Sequence, residues 1–160
     1  MLTSSELHNL LFYNPKTGQF VWRSSPTNSI PAGRVAGTGT LNGYVSISID
    51  KKMYLAHRLA WLYVHGDWPQ GNLDHRDRNK KNNRIANLRI ATRSQNGVNV
   101  IKRVSKSGFK GVSYIKGSRK WMARVRQHYK NIYLGLFETP EAAHQAYLQK
   151  AREIHGEFQP

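Results

Sequence analysis

The chain has 160 residues, 39% of them hydrophobic, which suffices for one ordinary domain or two small ones. It contains no cysteine, which excludes disulfides and cysteine-ligated zinc and gives no support to an oxidising compartment. No apolar run approaches membrane-spanning length and no secretory signal is recognisable, so we expect a cytoplasmic protein without a membrane partner.

The net charge of +16 comes from one part of the chain. Residues 78 to 137 contain no Asp or Glu, and they hold 16 of the 25 Lys and Arg residues. The other residues carry 9 basic and 9 acidic groups, so their charges cancel. So long an acid-free segment fits an ordinary solvated face poorly, and it predicts a polyanionic partner, with DNA or RNA foremost.

The first 66 residues predict short strands and one helix. Residues 11 to 23 and 41 to 50 are typical of short strands joined by turns, whereas residues 24 to 40 are typical of a loop. Residues 50 to 52 predict a hairpin turn. The sequence AHRLAWLYVH then has apolar residues at helical spacing, and Gly66 is a suitable end for that helix.

The second half predicts a short helix, a linker and a compact C-terminal domain. Thr92 and Gln95 have capping-box spacing, which places Asn96 in the first turns of a helix. Residues 101 to 107 are polar and basic without periodicity. We therefore expect domains at residues 1 to 100, with a core at 54 to 100, and at 108 to 160.

The C-terminal domain is expected to be three strands followed by one helix. The strand-like runs are residues 109 to 115, 120 to 127 and 131 to 137, and the helix begins with Thr139 as N-cap and Pro140 as first residue. The period of two in KWMARVRQ separates a core face from a face suited to DNA. The core face has Trp121, Ala123 and Val125, and the other has Met122, Arg124 and Arg126.

Four polar residues within DHRDRNKKNNRIANLRIATRSQN suit phosphodiester hydrolysis. His75 is the candidate general base, since an imidazole with a pKa near ~6.5 is partly neutral at cellular pH. Asp74 and Asn96 offer oxygen ligands for Mg²⁺ or Mn²⁺, and Asn87 could hold His75 in orientation across the hairpin. By spacing alone, a polar loop is an equal alternative, because these residue types are common in turns.

The stretch AHRLAWLYVHGDWPQGNLDHRDRNKKNNRIANLRIATRSQN resembles the HNH endonuclease family, particularly the phage and intron-encoded homing type. The resemblance implies a ββα-metal fold in which His75 activates water, Asp74 and Asn96 bind one divalent metal, and Asn87 stabilises the loop. The acid-free surroundings favour phosphate contacts for Arg84 and Arg89, with basic residues on a solvated hairpin as the alternative. Asn99 is an alternative to Asn96, and the helical His57 is more consistent with packing.

Residues 108 to 156 resemble the AP2 DNA-binding domain in four elements: KGV, KWMARVR, YLGLF and TPEAAHQAY. Carried over by position, the resemblance implies DNA contacts at Lys110, Trp121, Arg124, Arg126 and Tyr133. Arg124 departs from the Glu usual in plant members, so no base preference is transferred. The implied fold class is α+β, with a ββα-metal nuclease domain, N-terminal strands and an AP2-like three-stranded sheet packed on one helix.

These patterns together favour a metal-dependent endonuclease of phage or mobile-element type. Its partner would be double-stranded DNA, bound as a monomer or a DNA-assembled dimer with no obligate protein partner. The main alternative is a non-catalytic, sequence-specific DNA-binding regulator that keeps the HNH framework as a scaffold. An RNA-binding accessory protein is the third possibility, although the sequence lacks the aromatic RNP-like strands of a common RNA-binding module.

Overall fold

The computed structural model describes residues 1–27, 29–93, 95–96, 107–127, 130–156 and 158. The chain divides into two compact units, Met1–Ala91 and Thr92–Pro160. The first unit thus ends before the predicted domain boundary at residue 100. Residues 101 to 106 of the predicted linker lie outside the described residues, so the linker stays a prediction. Within the described ranges, no helix is both long and apolar enough to cross a membrane.

A short helix precedes the predicted strands. This helix, α1 (Ser4–Leu10), begins at a capping box in which the Glu6 backbone N–H donates to the Thr3 hydroxyl at 3.2 Å. The Glu6 carboxylate accepts a hydrogen bond from the Thr3 backbone at 2.8 Å in return. The sequence-based prediction lacks this helix, although T-S-S-E carries the capping-box pattern.

Two small antiparallel sheets follow α1. In strand order, one contains β1 (Leu11–Asn14), β2 (Gln19–Trp22) and β3 (Val35–Ala36). The other contains β4 (Thr38–Gly39), β5 (Val45–Ile49) and β6 (Lys52–Leu55). The prediction of a loop at residues 24 to 40 is wrong at β3 and β4. Each of these strands has two residues, too few to show alternation, and pairing to a longer neighbour defines them.

The predicted hairpin turn and the helix after it are confirmed. Asp50 and Lys51 have φ of 47° and 61°, the left-handed conformation that suits a tight turn between twisted strands. The helix α2 (Ala56–His65) ends at Gly66, whose φ is 83° and whose N–H donates to the Leu62 carbonyl. The structure therefore places this helix where the sequence predicts it.

The core of the first unit is shared by both helices and the small sheets. Its fully buried large side chains are Leu7, Leu11, Phe20, Ile47, Leu59 and Leu62. Each such side chain stabilises the fold by about 1.5–3 kcal/mol relative to exposure. Leu88, 5% exposed, joins the same cluster from the segment that carries the candidate site, so that segment is anchored on this core.

That segment is a two-stranded antiparallel hairpin. It consists of β7 (Asn72–His75) and β8 (Leu88–Ala91), and a 3-10 turn (Ile85–Asn87) leads into β8. The register pairs Asp74 with Arg89 and His75 with Leu88. The two strands thereby fix which side chains meet at the candidate site.

The predicted capping box after β8 is also present. The Gln95 backbone N–H donates to the Thr92 hydroxyl at 3.2 Å, and the Gln95 side-chain oxygen accepts from the Thr92 backbone at 2.8 Å. Arg93, Gln95 and Asn96 are helical. Asn96 is therefore placed at a capped helix start, as the sequence predicts.

Within the described residues 107–127 and 130–156, the second unit forms a three-stranded antiparallel sheet and a long helix. The strands are β9 (Val112–Ile115), β10 (Lys120–Gln127) and β11 (Lys130–Phe137), with β10 in the centre. The helix α3 (Pro140–His155) contacts all three strands. Thr139 caps it by accepting a hydrogen bond from the Ala142 backbone at 3.2 Å, and Pro140 opens it. The predicted strands, helix and cap are confirmed.

The predicted alternation in β10 is confirmed as well. Ala123 and Val125 are buried, whereas Arg124 and Arg126 are exposed. The β10–β11 register shifts at Ala123 and Arg124, so that Leu134 is the extra residue of a bulge and packs into the core. On α3, the buried apolar side chains are Ala143, Tyr147 and Ala151.

In the first unit, the β1–β2 turn lies against the loop between β7 and β8. The Tyr13 hydroxyl donates to the Asn83 carbonyl at 2.7 Å. Gly18 has a φ of 75°, and a Cβ there would lie 2.5 Å from the Arg84 nitrogen and 2.6 Å from the Asn83 carbonyl carbon. Because both atoms belong to the backbone, this close approach requires glycine.

Gly18→Ala is therefore expected to lower the free energy of unfolding of the first unit by about 2–5 kcal/mol, combining left-handed strain with a steric clash. Gly33 is the matched control, since its φ is 82° and a Cβ added there would meet nothing within 4 Å. Gly33→Ala should cost only the backbone strain, about 1–2 kcal/mol. Urea denaturation of both variants measures the difference, and equal losses would contradict a tight contact at Gly18.

Candidate active site

His75 is the last residue of β7, and it is 4% exposed. Its Nε2 lies 3.2 Å from Oδ1 of Asn83, a residue that is 2% exposed. An amide oxygen carries no hydrogen, so in this contact Nε2 is the donor. The neutral ring then has its lone pair on Nδ1, the form that can accept a proton from water.

Two further rings surround His75. The His57 ring on α2 lies 5.1 Å from it, edge to face, and the Tyr44 ring lies 6.1 Å away. Burial, with a smaller contribution from His75, lowers the pKa of His57 to about 4. Burial also lowers the pKa of His75, against the opposing effects of Asn83, Asp77 and Asp74. Both imidazoles are therefore neutral near pH 7, as a general base requires.

Asp74 and Arg89 form a largely buried ion pair across the hairpin. Arg89 approaches Asp74 Oδ2 with its Nε at 2.9 Å and its Nη2 at 2.8 Å. The side chains are 7% exposed for Arg89 and 11% for Asp74. The sequence suggests that Arg89 contacts a phosphate. In the structure, the Arg89 guanidinium pairs with the Asp74 carboxylate on the opposite strand. Arg84, by contrast, is exposed.

The Asn87 side chain organises the loop that follows His75. Its Nδ2 donates to Asp77 Oδ1 and to the Asn82 carbonyl, both at 2.9 Å, and its Oδ1 accepts from the Asp77 backbone at 3.1 Å. Burial alone would raise the pKa of Asp77, but hydrogen bonds from Asn82 and Asn87 lower it. These contacts restrain the loop, whereas the amide that contacts His75 directly is Asn83.

Asn96 has an oxygen suited to a cation. Its backbone N–H donates to the Thr92 carbonyl at 3.0 Å, which fixes it within the capped turn. Its side-chain Oδ1 is buried and has no hydrogen-bond partner among the described residues. A buried oxygen left without a donor is destabilising unless a ligand satisfies it, so Asn96 fits a metal-ligand role. The alternative ligand, Asn99, lies outside the described residues.

The two ligands predicted from the sequence are one carboxylate, Asp74, and one amide, Asn96. Among the described residues, no group of three or more His, Cys, Asp or Glu side chains is arranged to hold a metal. Carboxylate and amide oxygens, the donor types of Asp74 and Asn96, are hard ligands that suit Mg²⁺ or Mn²⁺. The chemistry of each predicted ligand therefore suits a divalent cation of this kind.

Sequence reasoning missed three residues near His75. Asn83 is one of four asparagines within residues 79 to 87, and no local pattern distinguishes it from the others. Tyr44 contacts both histidine rings. Lys80 lies 4.6 Å above the Tyr44 ring and donates to the Asn42 carbonyl at 3.0 Å, which ties the loop to the β4–β5 turn.

In the second unit, the sheet surface opposite α3 carries three of the predicted DNA-binding residues, Arg124, Arg126 and Tyr133. We call this surface the outer face, and its residues are Met122, Arg124, Arg126, Asn131, Tyr133 and Leu136. Arg124 pairs across the strands with Tyr133, which is 60% exposed. Lys110 and Trp121 are half-buried, and the Trp121 ring lies 5.0 Å from the Tyr114 ring at the edge of the core.

Comparisons with known proteins relate one segment of the chain to HNH endonucleases. A family model described as HNH endonuclease matches residues 54–98, which include β7 and β8. An uncharacterized HNH endonuclease of Acanthamoeba polyphaga mimivirus is 33% identical over 119 residues, covering 73% of this chain and 61% of that protein. The chain thus matches about three fifths of that relative's length.

Protein 3.8 of Escherichia phage T7 is 31% identical over 113 residues, which cover 68% of this chain and 93% of the phage protein. No solved structure matches the chain. The shared length with the phage protein extends well beyond the 54–98 segment. Residues 54–98 are thus similar to the HNH endonuclease family, and a viral protein of that name resembles the chain over 119 residues.

Proposed function

We propose that this protein is a metal-dependent endonuclease that hydrolyses phosphodiester bonds in double-stranded DNA, with His75 as general base. The observation that carries the proposal is the environment of His75: a neutral, buried imidazole beside Asp74, at the end of a hairpin inside the HNH-matching segment. Such a ring is restrained in orientation and poised to accept a proton.

In the proposed reaction, His75 Nδ1 takes a proton from a water molecule as that water attacks the scissile phosphorus. The P–O bond to the leaving oxygen breaks in line with the attack. Proton transfer to a positioned side chain contributes about 10²–10⁴-fold to such reactions. The low exposure of the ring limits its access to solvent, which favours one positioned water over bulk exchange.

Asp74 and Asn96 are the proposed ligands of one divalent metal, Mg²⁺ or Mn²⁺, arranged in a ββα-metal fold. A metal there would supply the positive charge that stabilises the phosphate and the leaving oxygen. Arg89 holds the Asp74 carboxylate from the opposite strand, so its proposed influence on bound DNA is indirect. Asn87 keeps the loop in shape, and the exposed Arg84 is the proposed phosphate contact.

The second unit is the proposed DNA-binding domain, of AP2 type. Its outer face presents Arg124, Arg126 and Tyr133 within the acid-free part of the sequence, and arginine can read guanine edges or contact phosphates. Lys110 and Trp121 would contribute at the edge of this surface. Tethering such a domain to a nuclease raises the local concentration of the active site at bound DNA.

One observation favours the alternative, a non-catalytic DNA-binding regulator. The Asp74 carboxylate is already neutralised by Arg89, an arrangement that would equally suit a purely structural hairpin. The buried Oδ1 of Asn96 has no hydrogen-bond partner among the described residues, which supports the nuclease because a bound metal would satisfy it. The two functions differ in whether DNA is cut after it is bound.

Nicking of supercoiled plasmid and phage genomic DNA tests the proposal. We expect cutting with Mg²⁺ or Mn²⁺, and loss of cutting when EDTA is added, because the metal-borne charge is removed. DNA binding should survive EDTA, which gel shift measures in parallel. Binding without cutting of either DNA, at any metal tested, would favour the regulator, and cutting unaffected by EDTA would contradict the metal requirement.

A further inference from the structure

We propose that Asn83 is a positioning residue that fixes the tautomer and orientation of His75, and that the hairpin of β1 and β2 holds Asn83 in place. This inference rests on the proposed role of His75 as general base. It extends the functional part of the first unit to residues outside the HNH-matching segment, which begins at residue 54.

The His75 ring and the Asn83 side chain are in direct contact. His75 Nε2 and Asn83 Oδ1 are 3.2 Å apart, and the two residues are 4% and 2% exposed. With water largely excluded, the amide oxygen selects the tautomer protonated at Nε2, because the other tautomer would set two lone pairs against each other. The lone pair of the ring is thereby assigned to Nδ1, the nitrogen that the proposed reaction uses.

Two residues of the β1–β2 hairpin, Tyr13 and Gly18, hold the Asn83 backbone in place. The Tyr13 hydroxyl donates to the Asn83 carbonyl at 2.7 Å, between residues 70 positions apart in the chain. Gly18 brings the β1–β2 turn within van der Waals contact of the backbone at Asn83 and Arg84. Tyr13 is itself 2% exposed and its ring packs on Phe20, so the donor is rigid.

These contacts form a chain from Tyr13 through the Asn83 backbone to the Asn83 amide and His75. A side chain attached to a clamped backbone has fewer orientations to sample, which favours one hydrogen-bond geometry at the histidine. Asn87 restrains the other part of the same loop through Asp77. The N-terminal hairpin is therefore assigned a role in positioning the base rather than in packing alone.

The tautomer of His75 can be measured without any cleavage assay, by ¹⁵N-detected NMR of the ring nitrogens in the full chain. In the wild type we expect the form protonated at Nε2. Asn83→Ala should yield a mixture of tautomers, and Asn83→Asp, which retains an acceptor oxygen, should restore the single form. Asn79→Ala is the matched control, because Asn79 lies in the same loop and its side chain bonds the Lys81 backbone instead of a ring.

Steady-state nicking supplies the second readout. Asn83→Ala should lower kcat about 10- to 100-fold with KM for plasmid DNA unchanged, the size of effect typical of groups that orient a functional histidine. Tyr13→Phe should lower kcat about 3- to 10-fold, since it removes one hydrogen bond to the loop but keeps the ring. Tyr63→Phe, in the same aromatic cluster, is its control and should leave kcat unchanged.

A wild-type His75 protonated at Nδ1, or a tautomer that Asn83→Ala leaves unchanged, would overturn the inference whether or not the protein cuts DNA. Equal losses of kcat in Asn83→Ala and Asn79→Ala would overturn it as well. If the wild type shows the expected tautomer but never cuts, the proposed function fails and the catalytic role assigned to Asn83 fails with it. Rescue of both the tautomer and kcat by Asn83→Asp supports the positioning role.

Discussion

His75→Ala is expected to lower Mg²⁺-dependent nicking about 10²–10⁴-fold while leaving DNA affinity within about twofold of the wild type. The imidazole would be lost as proton acceptor, whereas the basic surfaces that bind DNA stay intact. The ring is buried against His57 and Tyr44, so circular dichroism and urea unfolding should accompany the kinetic measurement. Single-turnover cleavage at saturating protein separates the chemical step from binding.

The control for this substitution is His65→Ala, at the exposed end of α2. It should cut at the wild-type rate. Addition of imidazole to His75→Ala should restore part of the lost activity, because the small base can enter the space that the side chain vacates. Undiminished cutting by His75→Ala would show that the base assignment is wrong.

The second large effect is expected for Arg124→Ala with Arg126→Ala on the outer face. Each arginine that contacts a base or a phosphate contributes about 1–3 kcal/mol, so each loss should weaken DNA binding about 5- to 150-fold. The buried side chains Ala123 and Val125 alternate with these arginines, and they are unchanged in the variant. The fold of the second unit should therefore survive.

Fluorescence anisotropy with a random-sequence duplex, across a range of salt concentrations, measures this effect. A phosphate contact changes the slope of log K against log salt by about 0.9 per arginine removed, whereas a base contact lowers affinity without that change. Lys150→Ala is the control, since Lys150 pairs with Glu153 on α3 at 2.7 Å. If the arginine variant binds like the control, the outer face is not the DNA-binding surface.

Several elements were predictable because their signals are local. α2 could be read from apolar spacing and from Gly66, whose left-handed φ of 83° ends the helix. Thr139, Pro140 and the alternation in β10 likewise depend on residues close together in sequence. The short strands β3 and β4 carried no such signal, since two residues cannot display a period.

In the candidate site, too, the residue types were predictable from the sequence, whereas the contacts between them were not. Asp74, His75, Asn87 and Asn96 were selected from residue type, spacing and family resemblance, and their roles remain proposals. The sequence did not indicate that Arg89 would face Asp74, because that contact depends on the register of β7 and β8. A shift of one residue in that register would have sent Arg89 to the other side of the hairpin.

The amino-acid sequence by itself determined the basic, acid-free segment, the end of α2 at Gly66, the start of α3 at Thr139, and the residue types available for phosphodiester chemistry. Only the tertiary structure decided which of the loop asparagines contacts His75. It likewise decided that Tyr13, 70 residues away in the chain, holds that asparagine, Asn83. The physical reason is the separation along the chain between the residues that interact. Propensity, periodicity and capping act over a few neighbouring residues, whereas a buried hydrogen bond or a close approach at Gly18 exists only after the chain has folded.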